Sequence, residues 1–236
     1  MARTPIWKHI AGTLEDEMRE GLYHAGGKLP TEAALAARFG VNRHTVRRAL
    51  GDLVERGLVY TRRGSGAFVA QEVTDYPIGK RVRFHQNVSA TGKLVDKKRL
   101  RVETRPARNV EAEALGLASG DPVVVYEGLS RSGGAVLAHF ESIFSAERLP
   151  RLAETFLTET SVTNALRANG IPDYLRAQTR VTAELADPAL ALHLGVRERE
   201  PILRTRAINT TPDGDPLEYG VTSFAGSRVA LTIESD

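Results

Sequence analysis

The 236-residue sequence predicts an α+β fold in two parts: an N-terminal winged helix-turn-helix and a C-terminal antiparallel sheet flanked by helices. Three observations predict it. Residues 27–69 run from Gly27-Lys28-Leu29-Pro30-Thr31-Glu32 through Phe39-Gly40-Val41-Asn42-Arg43-His44 to Gly64-Ser65-Gly66-Ala67-Phe68-Val69, which reads as helix, tight turn, basic helix and glycine-tipped hairpin. Gln71 to Lys80, with Asp75-Tyr76-Pro77-Ile78-Gly79, breaks that pattern and reads as a connector. Beyond it, strand-like runs such as Pro122-Val123-Val124-Val125-Tyr126 alternate with short helical stretches. The expected domains are 1–72, a linker at 73–80, and 81–236.

In the first domain, Thr4 can cap a helix with Pro5 at its first position, where a missing N–H costs nothing. Ile6, Ile10, Leu14 and Met18 form its apolar stripe. A second helix opens at Pro30-Thr31-Glu32, capped by Thr31, and Gly40 supplies a left-handed stop. Asn42 caps the third helix, whose buried face is Val46, Ala49, Leu50 and Leu53. Arg43, His44, Thr45, Arg47 and Arg48 occupy its first turns on the other side. Such a helix fits the major groove, with arginine able to bond guanine bidentately. Leu58–Thr61 and Ala67–Ala70 read as two strands joined at Arg62-Arg63-Gly64-Ser65-Gly66, a wing whose arginines suit a phosphate backbone or the minor groove. Residues 1–72 hold 11 Lys+Arg against 8 Asp+Glu, whereas residues 81–236 hold 20 of each, so the positive surplus lies on the DNA-facing part.

Downstream, a repeat is visible. Leu115-Gly116-Leu117 followed by Pro122-Val123-Val124 echoes Leu194-Gly195-Val196 followed by Pro201-Ile202-Leu203. Each copy continues into a turn, Ser132-Gly133-Gly134 or Pro212-Asp213-Gly214, and a returning strand bearing Glu141 or Glu218. Two helix-plus-hairpin units imply one sheet with pseudo-twofold symmetry, chance likeness of short stretches being the other reading. Alternation places Glu218, Gly220, Thr222 and Phe224 on one face, which suits a pocket wall or, equally, a wet surface.

Composition removes several chemistries. Without cysteine there is no disulfide, Cys-zinc site or thiol nucleophile. The first residues lack an apolar signal core and no apolar run approaches a membrane span, so a soluble cytoplasmic protein with no membrane partner is expected. The six histidines show no metal-ligand spacing, and no Gly-x-Ser-x-Gly or phosphate-binding loop is present. The expectation is therefore a regulator with no catalytic residues, cofactor or metal. A lyase or hydrolase fused to a DNA-binding head is the alternative class.

Residues 5–70 resemble the GntR family of bacterial repressors. That resemblance implies DNA contacts by Arg43, His44, Thr45, Arg47 and the wing residues Arg63 and Gly64. Ala33 departs from the arginine that many members carry after the Pro-Ser/Thr-Glu triplet. With Asp75-Tyr76-Pro77, Arg83-Phe84, Gln86-Asn87, Asp213-Gly214 and Glu218-Tyr219, residues 76–236 resemble the UTRA effector domain of the HutC branch, whose fold is that of chorismate lyase. Phosphonate-metabolism regulators are the members it resembles in particular. The resemblance implies an effector site of Arg83, Phe84, His85, Arg131, Glu141, Ser161, Thr163, Glu218 and Phe224. Leu129, Thr163 and Phe224 replace residues of sugar-phosphate-binding relatives and argue against that ligand. A small anionic effector, phosphate- or phosphonate-bearing, is expected instead, with arginine forks on the anion and a glutamate at its other end. Read without the resemblance, Arg131 is a surface strand arginine beside a turn. One recognition helix reads few base pairs, so a homodimer on an inverted-repeat operator in double-stranded DNA is expected.

Overall fold

A computed structural model describes residues 5–23, 26–62, 64–70, 73–79, 95–132 and 134–233; Thr4, Arg63, Arg83, Phe84, His85 and the Gln86-Asn87 pair lie outside them. The chain divides into two units, Met1–Glu72 and Val73–Asp236.

The first unit comprises α1 (Ile6–Arg19), α2 (Glu32–Phe39), α3 (Arg43–Glu55), β1 (Val59–Arg62) and β2 (Gly66–Val69). Pro5 stands at the N-cap of α1 rather than inside its first turn. Ile10, Ala11 and Leu14 are buried as their spacing requires, but Ile6 is 60% exposed and Trp7 packs on the core instead. The stripe thus begins one residue later than expected. Thr31 Oγ1 accepts from the Ala34 N–H at 3.2 Å and starts α2; Gly40 ends it at φ 63°, a left-handed conformation that favours glycine. Two residues on, Asn42 Oδ1 accepts from the Thr45 N–H at 2.9 Å and starts α3. Val46, Ala49 and Leu53 are then fully buried against α1 and α2. β1 and β2 pair antiparallel, Val59 opposite Val69, each strand within one residue of its expected position.

In the second unit, a six-stranded antiparallel sheet has the order β4-β5-β6-β9-β8-β7. Its strands are β4 (Val95–Pro106), β5 (Pro122–Ser132), β6 (Ala135–Ser145), β7 (Leu175–Leu185), β8 (Pro201–Thr210) and β9 (Pro216–Ala225). Beside it, β3 (Thr74–Pro77) pairs in parallel with β10 (Val229–Thr232). The repeat is larger than a helix plus hairpin. Each copy is strand, helix, hairpin: β4, α4 (Asn109–Leu115), β5, β6, and β7, α7 (Pro188–Leu194), β8, β9. Both helices end on a left-handed glycine, Gly116 or Gly195, before a proline opens the next strand. The missed first strands are the sheet edges. Charges on both of their faces hide the apolar period that marks inner strands.

Alternation sorts the layers. Val124, Tyr126, Phe140 and Phe144 pack under α5 (Leu152–Thr158) and α6 (Val162–Ala168) on one face. Val123, Val125, Ile143 and Tyr219 pack under α4 on the other, where Ile202 meets α7. Gly128 faces the first layer with no room to spare: a Cβ there would stand 2.7 Å from Phe140 Cζ and 2.8 Å from the Lys98 carbonyl oxygen. Gly128→Ala should therefore cost about 1–3 kcal/mol by overpacking. Gly12→Ala, inside α1 with nothing within 4 Å of a new Cβ, should stabilise by about 0.5–1 kcal/mol. Urea unfolding of the full chain followed by circular dichroism distinguishes the two signs.

Candidate functional site

On α3 the charged residues divide by partner. Arg48 lies over the Trp7 ring at 4.8 Å and is spent on packing α3 against α1. Arg47 bonds Glu32 through Nε at 3.2 Å and a terminal nitrogen at 2.8 Å. That bond, above all, holds the Glu32 carboxyl below the usual carboxylate range. Thr45 donates its hydroxyl proton to Asn42 Oδ1 at 3.0 Å, leaving its oxygen lone pairs open. Arg43 and His44, in the first turn, are exposed. On the hairpin, Arg62 packs over the rings of Tyr60 and Phe68 at 5.2 and 5.3 Å, and Gly64 is exposed at the tip. Arg63 lies outside the described residues.

The second unit holds a cavity of about 480 Å³ between the sheet and the segment 159–167. Six strands contribute to its floor because their inward-facing residues are in register: Lys97, Ser130, Phe140, Ser142, Glu218, Gly220, Thr222, Thr205, Asn209 and Arg176. Tyr76 from β3 closes one side, and Glu159, Ser161, Thr163, Asn164, Arg167 and Tyr174 close another. Of the expected effector residues, the fold brings Ser161, Thr163 and Glu218 to this cavity. Ser161 Oγ caps α6 by accepting from the Asn164 N–H at 3.3 Å, and Thr163 Oγ1 shares a 2.9 Å hydrogen bond with the Tyr174 hydroxyl.

Three others lie elsewhere. Glu141 pairs directly with Glu127 and Val221, and Val221 is an odd number of positions from Glu218 on β9. Glu141 and Glu218 consequently face opposite sides of the sheet and cannot hold the two ends of one ligand. Arg131 is not among the lining residues: it pairs with Asp96 on β4, next to the cavity residue Lys97, and is 37% exposed, with the Asp96 carboxylate at 3.9 Å. Phe224 shares the cavity face but is fully buried, its ring 5.0 Å from that of Tyr76, so it backs the wall. Arg83, Phe84 and His85 lie outside the described residues.

In place of Arg131 the cavity has Lys97, Arg167 and Arg176, with Glu159 and Glu218 as anions. Sequence reasoning missed these cations because Lys97 and Arg176 stand on the two edge strands, where they look like ordinary solubilising charges. Burial pushes the Lys97 ammonium down to about 8, against the pull of Glu218 and Glu159. Burial raises the Tyr76 and Tyr174 hydroxyls, so both remain donors at neutral pH. Glu159 is fixed by the Ser161 N–H at 2.7 Å and the Asn164 amide at 3.1 Å, and Glu218 accepts from the Asn209 amide at 2.7 Å. Three residues that line the cavity each carry a buried polar atom with no hydrogen-bond partner among the described residues: Arg176 Nε, Ser130 Oγ and Asn209 Oδ1. Burying a polar atom unpaired costs about 1–3 kcal/mol. Arg176 Nε lacks an acceptor, Asn209 Oδ1 lacks a donor, and the serine hydroxyl can act in either sense.

Known proteins share these features over nearly the whole chain. Residues 7–69 match the bacterial regulatory proteins of the gntR family, and residues 90–230 match the UTRA domain. The chain is 36% identical to an uncharacterized HTH-type transcriptional regulator of Rhizobium meliloti (strain 1021), over 98% of this chain and 95% of that one. It is 35% identical to the probable transcriptional regulator PhnF of Escherichia coli (strain K12), over 97% and 94%. Its fold is similar to the crystal structure of PhnF from Mycobacterium smegmatis, with TM-score 0.66 and 27% identity, covering 96% of this chain and 99% of that one.

Lys97 also sets a pH dependence. Its folded pKa lies below its unfolded one, so its burial cost is present in full below about pH 8 and fades as pH rises towards the free-lysine value near 10.4. Through this group, stability of the ligand-free protein should rise between pH 8 and pH 10. Lys97→Met should flatten that rise, as urea midpoints at about pH 7.5 and 9.5 would register.

Proposed function

Since the chain belongs to the gntR family of bacterial regulatory proteins and carries a UTRA domain, we propose that it represses genes of phosphonate or phosphate uptake and metabolism, binding an inverted-repeat operator as a homodimer. The chain is a transcriptional regulator and not an enzyme, as are its full-length relatives. Its switch, in this reading, is a small effector with a phosphoryl or phosphonyl group. The observation that carries it is Arg176: a buried guanidinium nitrogen with no protein acceptor, in a cavity that Lys97 and Arg167 also line. An anionic oxygen is what such a donor lacks, and guanidinium forks match tetrahedral anions. Glu218 and Asn209 Oδ1, both acceptors, suit an amine or hydroxyl elsewhere on the ligand. The effector thus binds through Arg176, Lys97 and Arg167, together with Ser161, Thr163 and Glu218. This grouping replaces Arg131 and Glu141, which are not among the lining residues.

On DNA, Arg43, His44 and Thr45 enter the major groove from the first turn of α3, and Arg63 and Gly64 follow the backbone from the wing. Arg47 joins them by exchanging Glu32 for a phosphate, which leaves the Glu32 carboxylate without its cation.

Operator binding of the full chain, followed by fluorescence anisotropy, separates the two halves of this reading. Arg43→Ala should cost about 1–3 kcal/mol at one base position and relax preference there. Uniform weakening across operator variants would restrict Arg43 to phosphate contact. Arg176→Met should leave operator affinity of the free protein unchanged while removing the response to inorganic phosphate, methylphosphonate or an aminoalkylphosphonate. If none of these anions alters wild-type operator affinity or melting temperature, the ligand class is wrong.

A further inference from the structure

The face of the sheet turned away from the cavity carries a cluster that the proposed function does not use. Glu127 on β5, His139 opposite Leu129 on β6, and His193 in the last turn of α7 converge there. Glu127 Oε1 and His139 Nε2 are 2.8 Å apart. The His139 and His193 rings stack at a centroid distance of 5.1 Å and an angle of 18°. One donor atom from each of the three residues lies within 4.8 Å of the other two.

We propose that Glu127, His139 and His193 form a binding site for a divalent transition-metal ion of the zinc type. Two imidazoles and a carboxylate are a ligand set that zinc uses, with a fourth position left for water or another ligand. Calcium and magnesium prefer all-oxygen sites and are disfavoured by the two histidines. Ligand atoms on one tetrahedral zinc, at bond lengths of about 2.0–2.1 Å, lie roughly 3.3–3.5 Å apart. From the present spread of up to 4.8 Å, the donor atoms must close by roughly 1.3–1.5 Å at most to hold one ion.

Two further features make the cluster a site. Arg101 Nε bonds the other carboxylate oxygen, Glu127 Oε2, at 2.9 Å, which orients the group and leaves Oε1 for the cluster. The side chains of His139 and Glu127 are 12% and 14% exposed, so an ion can reach them while most bulk water is excluded. Glu127 and His139 lie on the two arms of one hairpin and His193 on a helix far beyond it in the chain, which is why no metal spacing is visible in the sequence. A bound ion would cross-link α7 to the sheet centre.

The test uses the full chain, stripped with chelator and titrated with zinc chloride by isothermal calorimetry. The expected result is one equivalent per chain, lowered in affinity by roughly tenfold or more in both His139→Ala and His193→Ala. His9→Ala, on α1 in the other unit, should bind as the wild type. His193→Gln, on the partly exposed helix, keeps the test valid if His139→Ala fails to fold. The wild-type melting temperature should also rise with zinc, and that of His193→Gln should not. Absence of zinc binding to the wild type, undiminished binding in His193→Gln, or loss of it in His9→Ala would each overturn the proposal.

Discussion

The second unit depends on one antiparallel pairing, β6 against β9, with Ala138 opposite Phe224 and Ile143 opposite Tyr219. This seam joins the two copies of the repeat. Without it each copy is a three-stranded sheet with one helix, too small to bury both faces. With it, Phe140 and Ser142 lie beside Thr222 and Gly220 and make a continuous cavity floor. Register carries the chemistry as well as the packing. A slip of one residue would send every side chain of one half to the other face. Glu218 would leave the cavity, Tyr219 would enter it, and the α4 layer built on Ile143 and Tyr219 would come apart. The apolar pattern that buries Tyr219 thus also places Glu218 beside Asn209.

The first unit is organised by a different constraint, the tight turn Gly40-Val41-Asn42. A left-handed glycine stop and an asparagine cap satisfy backbone groups at the end of one helix and the start of the next. The core under α3 then fixes which residues face out. Trp7 takes Arg48 and Glu32 takes Arg47, while the first-turn residues Arg43 and His44 are exposed. Cation–π packing on Trp7 thus sets Arg48 apart from the other charges of α3.

How much of this was legible follows from the range of the interactions. Thr31, Gly40, Asn42 and the glycines of the wing act on neighbours a few residues away, so the winged helix-turn-helix could be read directly from the sequence. The repeat was legible in its helix and hairpin parts, where a Leu-Gly stop precedes a proline-led strand in both copies. Its edge strands were not, because β4 and β7 carry charges on both faces and lack a single apolar period. That loss also concealed Lys97 and Arg176. The face of Glu218, Gly220 and Thr222 followed from alternation within one strand. Relating Glu141 to Glu218 needed the pairing between strands, which alternation alone does not supply. Arg131 was separated from the cavity by one residue, next to a register shift between Ser130 and Arg131 that the sequence does not mark.

The proposed switch needs the effector to favour one state of the chain over another, since a ligand with equal affinity for two states shifts neither. The fold offers a specific element for that difference. Tyr76 lines the cavity, packs on Phe224 and sits on β3, the first strand after Val73. That strand is held by β10 near the other end of the chain and not by the six-stranded sheet. It is a small element, attached through four residue pairs, so its position responds to changes in side-chain contact more readily than a central strand does. An effector that draws Arg176 towards an anion alters the hydrogen bond this arginine makes with Tyr76. The cavity's cation is therefore wired to the strand at which the chain leaves the DNA-binding unit.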